Sequence, residues 1–280
     1  MSPVALLLVL AAAAAHAAWN LLAKRAGGGA RFVWLYGLVA TVAYAPVALA
    51  SVALAPGRVS IPGVGFMAGS GVLHAAYFVC LQRGYATGDL SLVYPLARGT
   101  GPLISVVAAV ALLGERPGGT ALVGAGLVVA SVLSLIGGGR HPRSAVRFAL
   151  ATGALIGAYT LWDAHAVEAL RQPPIAYYWG SQVAQALVLA PVGLRDRAAL
   201  AATWRGNRRA AVGVGVLSPI AYILVLFALT LAPVSLVAPA RESSIVIGAL
   251  LGAGVLGETD PRRRLLAATG IVCGVALLAL

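Results

Sequence analysis

Residues 91–98 read SLVYPLAR and residues 235–241 read SLVAPAR, an apolar stretch closing on proline and then arginine, written twice about half a chain apart. Each copy lies inside an uncharged block long enough to cross a bilayer, so each carries a guanidinium where water is scarce. Other pairs share the spacing. His16-x-x-Trp19-Asn20 falls on Tyr159-x-x-Trp162-Asp163, Ala76-Tyr77 on Ala221-Tyr222 and Gly114-Glu115 on Gly257-Glu258, at offsets of 143 to 145 in a chain of 280 residues. Self-similarity at half the chain length is the mark of an internal duplication.

The solvent is set by composition. Hydrophobic residues make up 60% and charged residues 10%, with a mean hydropathy of +0.93, where a soluble domain carries about 25% charge. The apolar residues come in long blocks with no polar stripe and no strand-like alternation, which leaves helices as the way to pair the backbone in lipid. The blocks are 2–24, 32–55, 61–86, 90–113, 117–138, 147–168, 174–194, 209–232, 234–256 and 263–280. The expected fold is therefore all-α and integral to the membrane, with ten transmembrane helices in two repeats, residues 1–139 and 140–280. Five is odd, so the second copy enters the bilayer upside down, and the repeats are inverted.

No Lys or Arg precedes residue 24, so the first block lacks a basic leader region and reads as a retained helix. Cys80 and Cys273 sit in apolar blocks without ligand spacing, which implies neither disulfide nor zinc. The formal charge of +12 resides in short connections such as GGGRHPRSAVR (137–147) and DPRRR (260–264), a pattern for phospholipid headgroups, with no nucleic-acid partner. Of the twenty Lys and Arg residues, fifteen fall in loops on one face, Arg58, Arg116 and Arg171 on the other, and Arg98 and Arg241 inside spans. The positive-inside rule puts the rich face in the cytoplasm and both termini outside. There is no phosphate loop, dinucleotide fingerprint, H-E-x-x-H pair or G-x-S-x-G elbow, so no cofactor, metal or catalytic residue is expected.

HAAWNLLAKR (16–25), the proline-containing spans 4 and 9, and the segments LLGERPGGTALVGAGLVVASV (112–132) and VLGETDPRRRLLAATGIVCGV (255–275) together resemble the drug/metabolite transporter superfamily, and within it the ten-helix carriers with paired EamA domains. The resemblance covers nearly the whole chain. It implies a proton- or gradient-linked carrier or exporter of small metabolites with a central cavity. Many relatives look to have cytoplasmic termini, the reverse of what the loop charges favour here.

The candidate site follows from the cost of buried polarity. Arg98 and Arg241 bracket the midplane as a symmetry-related pair; each is either neutralised by Glu242 or Asp163, or holds an anionic group of the substrate in its planar fork. Pro95 and Pro239 precede them, so spans 4 and 9 are expected to kink, with Ser243 and Ser244 satisfying the loosened backbone. The trios His16, Trp19, Asn20 and Tyr159, Trp162, Asp163 each occupy one helical face and are expected to line the two ends of the pathway; the tryptophans also suit an interfacial belt. Asp163 pairs with an arginine, binds a substrate amine or carries a coupling proton. His74, Tyr77, Tyr94 and Tyr222 are candidate cavity lining, and Gln182 and Gln185 suit interhelical hydrogen bonds. Close helix approach is expected at Gly65/Gly69, Gly153/Gly157, Gly248/Gly252 and Gly270/Gly274.

These residues point to a gradient-driven secondary transporter, an exporter or exchanger of a small polar metabolite with an anionic group, and not to an enzyme. Its expected partners are a small-molecule substrate, the lipid bilayer and protons, as a monomer or homodimer. The rival readings are a membrane enzyme acting on a lipid-linked phosphate and a non-transporting membrane partner.

Overall fold

The computed structural model describes residues 2–27, 29–54, 59–113, 118–137, 142–168, 170–231, 240–258 and 260–278. Among them run ten helices: α1 Pro3–Ala26, α2 Gly29–Leu54, α3 Ile61–Thr87, α4 Leu90–Leu113, α5 Gly119–Gly137, α6 Arg143–Glu168, α7 Pro174–Leu194, α8 Arg197–Leu231, α9 Ser244–Leu256 and α10 Pro261–Leu278. Helix starts are marked where the sequence supplies a cap. Ser2 and Ser60 accept from the amides of Ala5 and Gly63 at 3.2 and 3.1 Å, each with a proline in the first turn, where its missing donor costs nothing. Gly27 closes α1 at a φ of 60°, a left-handed cap that suits glycine.

Two helices differ from the reading of the sequence. The seventh connection, expected to run to residue 208, is instead the first part of α8, which spans 35 residues from Arg197. Its segment RAALAATWRGNR is rich in strong helix formers, and Asp196 caps it by accepting from the Ala199 amide at 2.9 Å, so charge did not break the helix. Conversely, α9 has only 13 residues, about 20 Å at the usual rise, and begins after a turn at Glu242 and Ser243. Pro239 lies outside the described residues, and α4 continues through Pro95 as a helix.

The packing repeats the duplication. Helix α1 lies against α8 as α6 lies against α3; α2 meets α8 as α7 meets α3; α9 meets α1 as α4 meets α6; and α2–α7, α4–α9 and α5–α10 pair with their own copies. Exchanging every helix for the one five places on leaves this pattern unchanged, as a pseudo-two-fold axis through the bundle centre requires.

Glycine sets how closely the halves approach. A Cβ on Gly71 of α3 would lie 2.7 Å from the Gln185 amide nitrogen and 2.8 Å from the Ser181 carbonyl of α7. Its counterpart Gly215 of α8 would meet the Tyr36 carbonyl of α2 at 2.8 Å. Of the expected glycine pairs, Gly270 and Gly274 do press on α5 and Gly248 on Tyr94, whereas Gly65 faces open space. One end of the bundle is clamped across the repeats. Glu258, just past α9, accepts from the Leu90 and Ser91 amides at 2.7 and 3.0 Å and so caps α4, and Arg264 holds Asp89 at 2.6 Å; within the first repeat, Lys24 donates to the Tyr85 and Gly88 carbonyls.

Gly71→Ala and Gly215→Ala should each destabilise the fold by about 1–3 kcal/mol through overpacking against backbone that cannot turn aside, read as a lower melting temperature in detergent. Gly65→Ala should leave it unchanged or raise it slightly; equal effects at the three positions would show that these approaches do not govern packing.

Candidate functional site

Turns of unequal tightness deliver the charges to the centre. Before α9 the amides of Ser243 and Ile245 reach back only three residues, to Ala240 and Glu242 at 3.2 and 2.8 Å, and the Ser243 hydroxyl takes the Ala240 carbonyl at 2.7 Å. This break in the helical ladder aims Glu242 inward. Arg98 on α4 grips it through Nε at 2.9 Å and Nη2 at 2.8 Å, the two-pronged geometry that makes guanidinium–carboxylate pairs strong. Arg241 reaches the same Oε1 only at 3.4 Å, from both Nε and Nη2. Arg98 and Glu242 are 4% and 2% exposed, and the Arg241 side chain 13%. Two guanidiniums thus converge on one carboxylate in the interior. Alongside, the Tyr94 hydroxyl donates to Ser244 at 2.9 Å and ties α4 to α9.

A second charged group lies across the aromatic centre. Asp163 on α6 is buried and accepts from the hydroxyls of Tyr177 at 2.7 Å and Tyr222 at 3.1 Å. His74 Nε2 on α3 stands 3.9 Å from its Oδ2, and His74 Nδ1 lies 2.9 Å from the Ser70 carbonyl oxygen. The His74 ring stacks on Tyr159 at 4.2 Å and meets Tyr222 edge-on at 6.3 Å, and Tyr77 sits 5.4 Å from Tyr159. Tyr159 lies within electrostatic reach of Arg98, Arg241, Asp163 and Glu242 together, so it joins the two charged groups into one centre. Asp163 therefore faces His74 and two tyrosines, and Glu242 is the carboxylate that meets the arginines.

The first trio packs inside the bundle. Trp19 is 2% exposed, donates from Nε1 to His16 Nδ1 at 3.1 Å and packs edge-on against Phe78, which places it in the core and not in an interfacial belt. Asn20 ties its own helix at the His16 carbonyl and takes the Tyr85 hydroxyl from α3. His16 lies within electrostatic reach of both arginines, and its Nε2 is buried without a hydrogen-bond partner among the described residues. Trp162, the copy of Trp19, is 37% exposed and donates to the Phe66 carbonyl at 2.8 Å. The copies have diverged.

Gln182 bonds the Tyr178 hydroxyl of its own helix, and the Gln185 side-chain amide has no partner among the described residues, so neither forms the expected interhelical bond. Ser70 and Tyr177 complete the Asp163 cluster but were not singled out from the sequence. Ser70 stands one turn before His74, a spacing that signals a shared face; nothing local marks Tyr177. Among the described residues the charged side chains of the centre are largely buried, and two openings lie at the surface: a cleft of about 420 Å³ lined by Arg25, Arg205, Arg208 and Arg209, and an apolar groove of about 450 Å³ lined by α2 residues and Trp204.

Comparison with known proteins adds the family. A solved crystal structure of a protein aligns over 99% of this chain and 96% of its own length with a TM-score of 0.62 and 19% sequence identity, a likeness of fold. No curated protein matches. The model of the EamA-like transporter family matches twice, over residues 3–137 and 143–280, once on each five-helix unit. Ten helices in two repeats, closed around buried charge, are accordingly the architecture of an integral membrane transporter, and the chain belongs to the EamA-like transporter family.

Proposed function

We propose that the protein is a gradient-driven secondary transporter that carries a small polar metabolite bearing an anionic group by alternating access. The observation that carries this reading is that, among the described residues, two buried guanidiniums, Arg98 and Arg241, converge on one shared carboxylate, Glu242, while Asp163 bonds to tyrosines instead. Uncompensated charge in a membrane interior is expensive, and an anion entering beside Arg241 would balance it. Arg98 is committed to Glu242 by two short bonds. Among the described residues Arg241 makes only two long contacts, to an oxygen already shared, so its fork is the one left to take a carboxylate or phosphate. The aromatic rings of Tyr77, Tyr159 and Tyr222 supply the wall, with Tyr94 and Ser243 at the break before α9.

The broken helix and the pseudo-symmetric packing support alternating access. Residues 1–139 and 140–280 form two units of one design in opposite orientations, and rocking one against the other opens the shared centre to alternate sides.

Purified protein in liposomes tests the class: uptake of an intact anion supports a carrier, chemical conversion an enzyme on a lipid-linked phosphate, and neither a non-transporting partner. Arg241→Gln should weaken anion uptake at least about tenfold, the loss of one charge-assisted contact, with little change in melting temperature. Arg98→Gln should lower both. Equal loss of stability with unchanged uptake in Arg241→Gln would refute the anion role. Glu242→Gln should destabilise the fold by about 3–5 kcal/mol, because two buried guanidiniums lose their counter-charge; calorimetry in detergent measures it.

A further inference from the structure

Pseudo-symmetry does not account for the start of α8. Its counterpart α3 runs 27 residues and α8 runs 35, so the second repeat adds about two turns at this end. Those turns and the one that follows carry Trp204, Arg205, Arg208 and Arg209. Leu200 packs against the core, and Trp204, four residues on, shares its side of the helix, whereas Arg205 and Arg209 share another. With Arg25 from the end of α1, the three arginines line the cleft of about 420 Å³. None of the four finds a counter-charge among the described residues. Arg205 bonds only the Ala201 carbonyl of its own helix, at 3.4 Å, while Asp196 faces Arg31 and Asp89 and Glu258 are held by Arg264. The apolar groove of about 450 Å³ meets the same stretch of α8: Trp204 forms one wall, and Leu35, Leu38, Val39 and Val42 of α2 form the other.

We propose that cleft and groove together form a binding site for one anionic phospholipid, its phosphodiester headgroup among the arginines and an acyl chain along α2. Guanidinium forks match phosphate oxygens, and a basic pocket at the ends of membrane spans is a setting in which anionic headgroups are held. Trp204, 36% exposed, stands at the boundary, with an apolar ring and a polar N–H suited to the headgroup level. The two openings select the occupant between them. A soluble phosphate would fill the cleft and leave the groove bare, and a neutral lipid would leave four like charges uncompensated. Only a molecule with an anionic head and a hydrocarbon tail satisfies both. Helices α1 and α2 belong to the first repeat and α8 to the second, so the lipid lies across the junction between the halves. The site is independent of the central charges and of what the protein carries.

The test reads tryptophan fluorescence of the full chain in phosphatidylcholine nanodiscs, to which a lipid with brominated chains is added, either phosphatidylglycerol or phosphatidylcholine. Bromine quenches a ring that it touches, and Trp204→Phe isolates the share of Trp204 among the five tryptophans. Each arginine near an anionic headgroup is worth about fivefold in binding, so brominated phosphatidylglycerol should quench that share at a lipid fraction at least about tenfold lower than brominated phosphatidylcholine does. Replacing Arg205, Arg208 and Arg209 together by Gln should abolish the preference. Replacing Arg143, Arg147 and Arg262 by Gln removes as much charge elsewhere on the basic face and should preserve it, and inorganic phosphate should not relieve the quenching. Equal quenching by the two lipids in the unsubstituted protein would overturn the proposal whether or not a variant folds. So would equal loss in the two triple variants, which marks diffuse surface attraction, or relief by inorganic phosphate, which marks a site for a soluble anion.

Discussion

The Arg98–Glu242 pair is the constraint to which the rest of the bundle answers. Two charges held in a membrane interior lose several kcal/mol each in hydration, and recover it only in near-ideal geometry. The geometry here requires α4 and the segment before α9 to meet at a fixed height, with Tyr94 and Ser244 bonded beside them and the helical ladder broken so that Glu242 can turn inward. Gly71 and Gly215 let α3 and α8 approach α7 and α2, which closes the aromatic wall around the pair. The tight packing and the polar centre are thus parts of one arrangement.

The fold was largely legible because the bilayer simplifies the code. A span must be long, apolar and helical, so the ten blocks and their duplication could be read from hydropathy and offset alone. The helix ends were less legible. Charge was taken to end a span at Leu194 and restart it at Arg209, yet Ala- and Arg-rich sequence after a capping Asp196 continues as helix outside the apolar zone. The shortness of α9 has its origin in a turn at Glu242 and Ser243, neither of which is a helix breaker in isolation.

The site was legible in its parts and not in its pairings. Cost singled out Arg98, Arg241, Glu242 and Asp163 one by one, since each is expensive wherever it goes. Which carboxylate meets which base depends on rotation about each helix axis, to which hydropathy is blind. Asp163 thus found His74 and two tyrosines, and Ser70, a small hydroxyl residue without charge, supplied through its carbonyl and its hydroxyl the contacts that orient the histidine. Trp19 likewise looked like a residue for the headgroup region and is instead a core ring bonded to His16.

The divergence of the two trios has an energetic consequence. Were the halves identical, inversion would turn the inward-open state into the outward-open one, and the two would have equal free energy by symmetry. Asn20 in one half and Asp163 in the other remove that equality. In the carrier cycle proposed above, the two end states are therefore unequal at rest, and membrane voltage acting on the Asp163 carboxylate, whose counterpart is the neutral Asn20, shifts their balance.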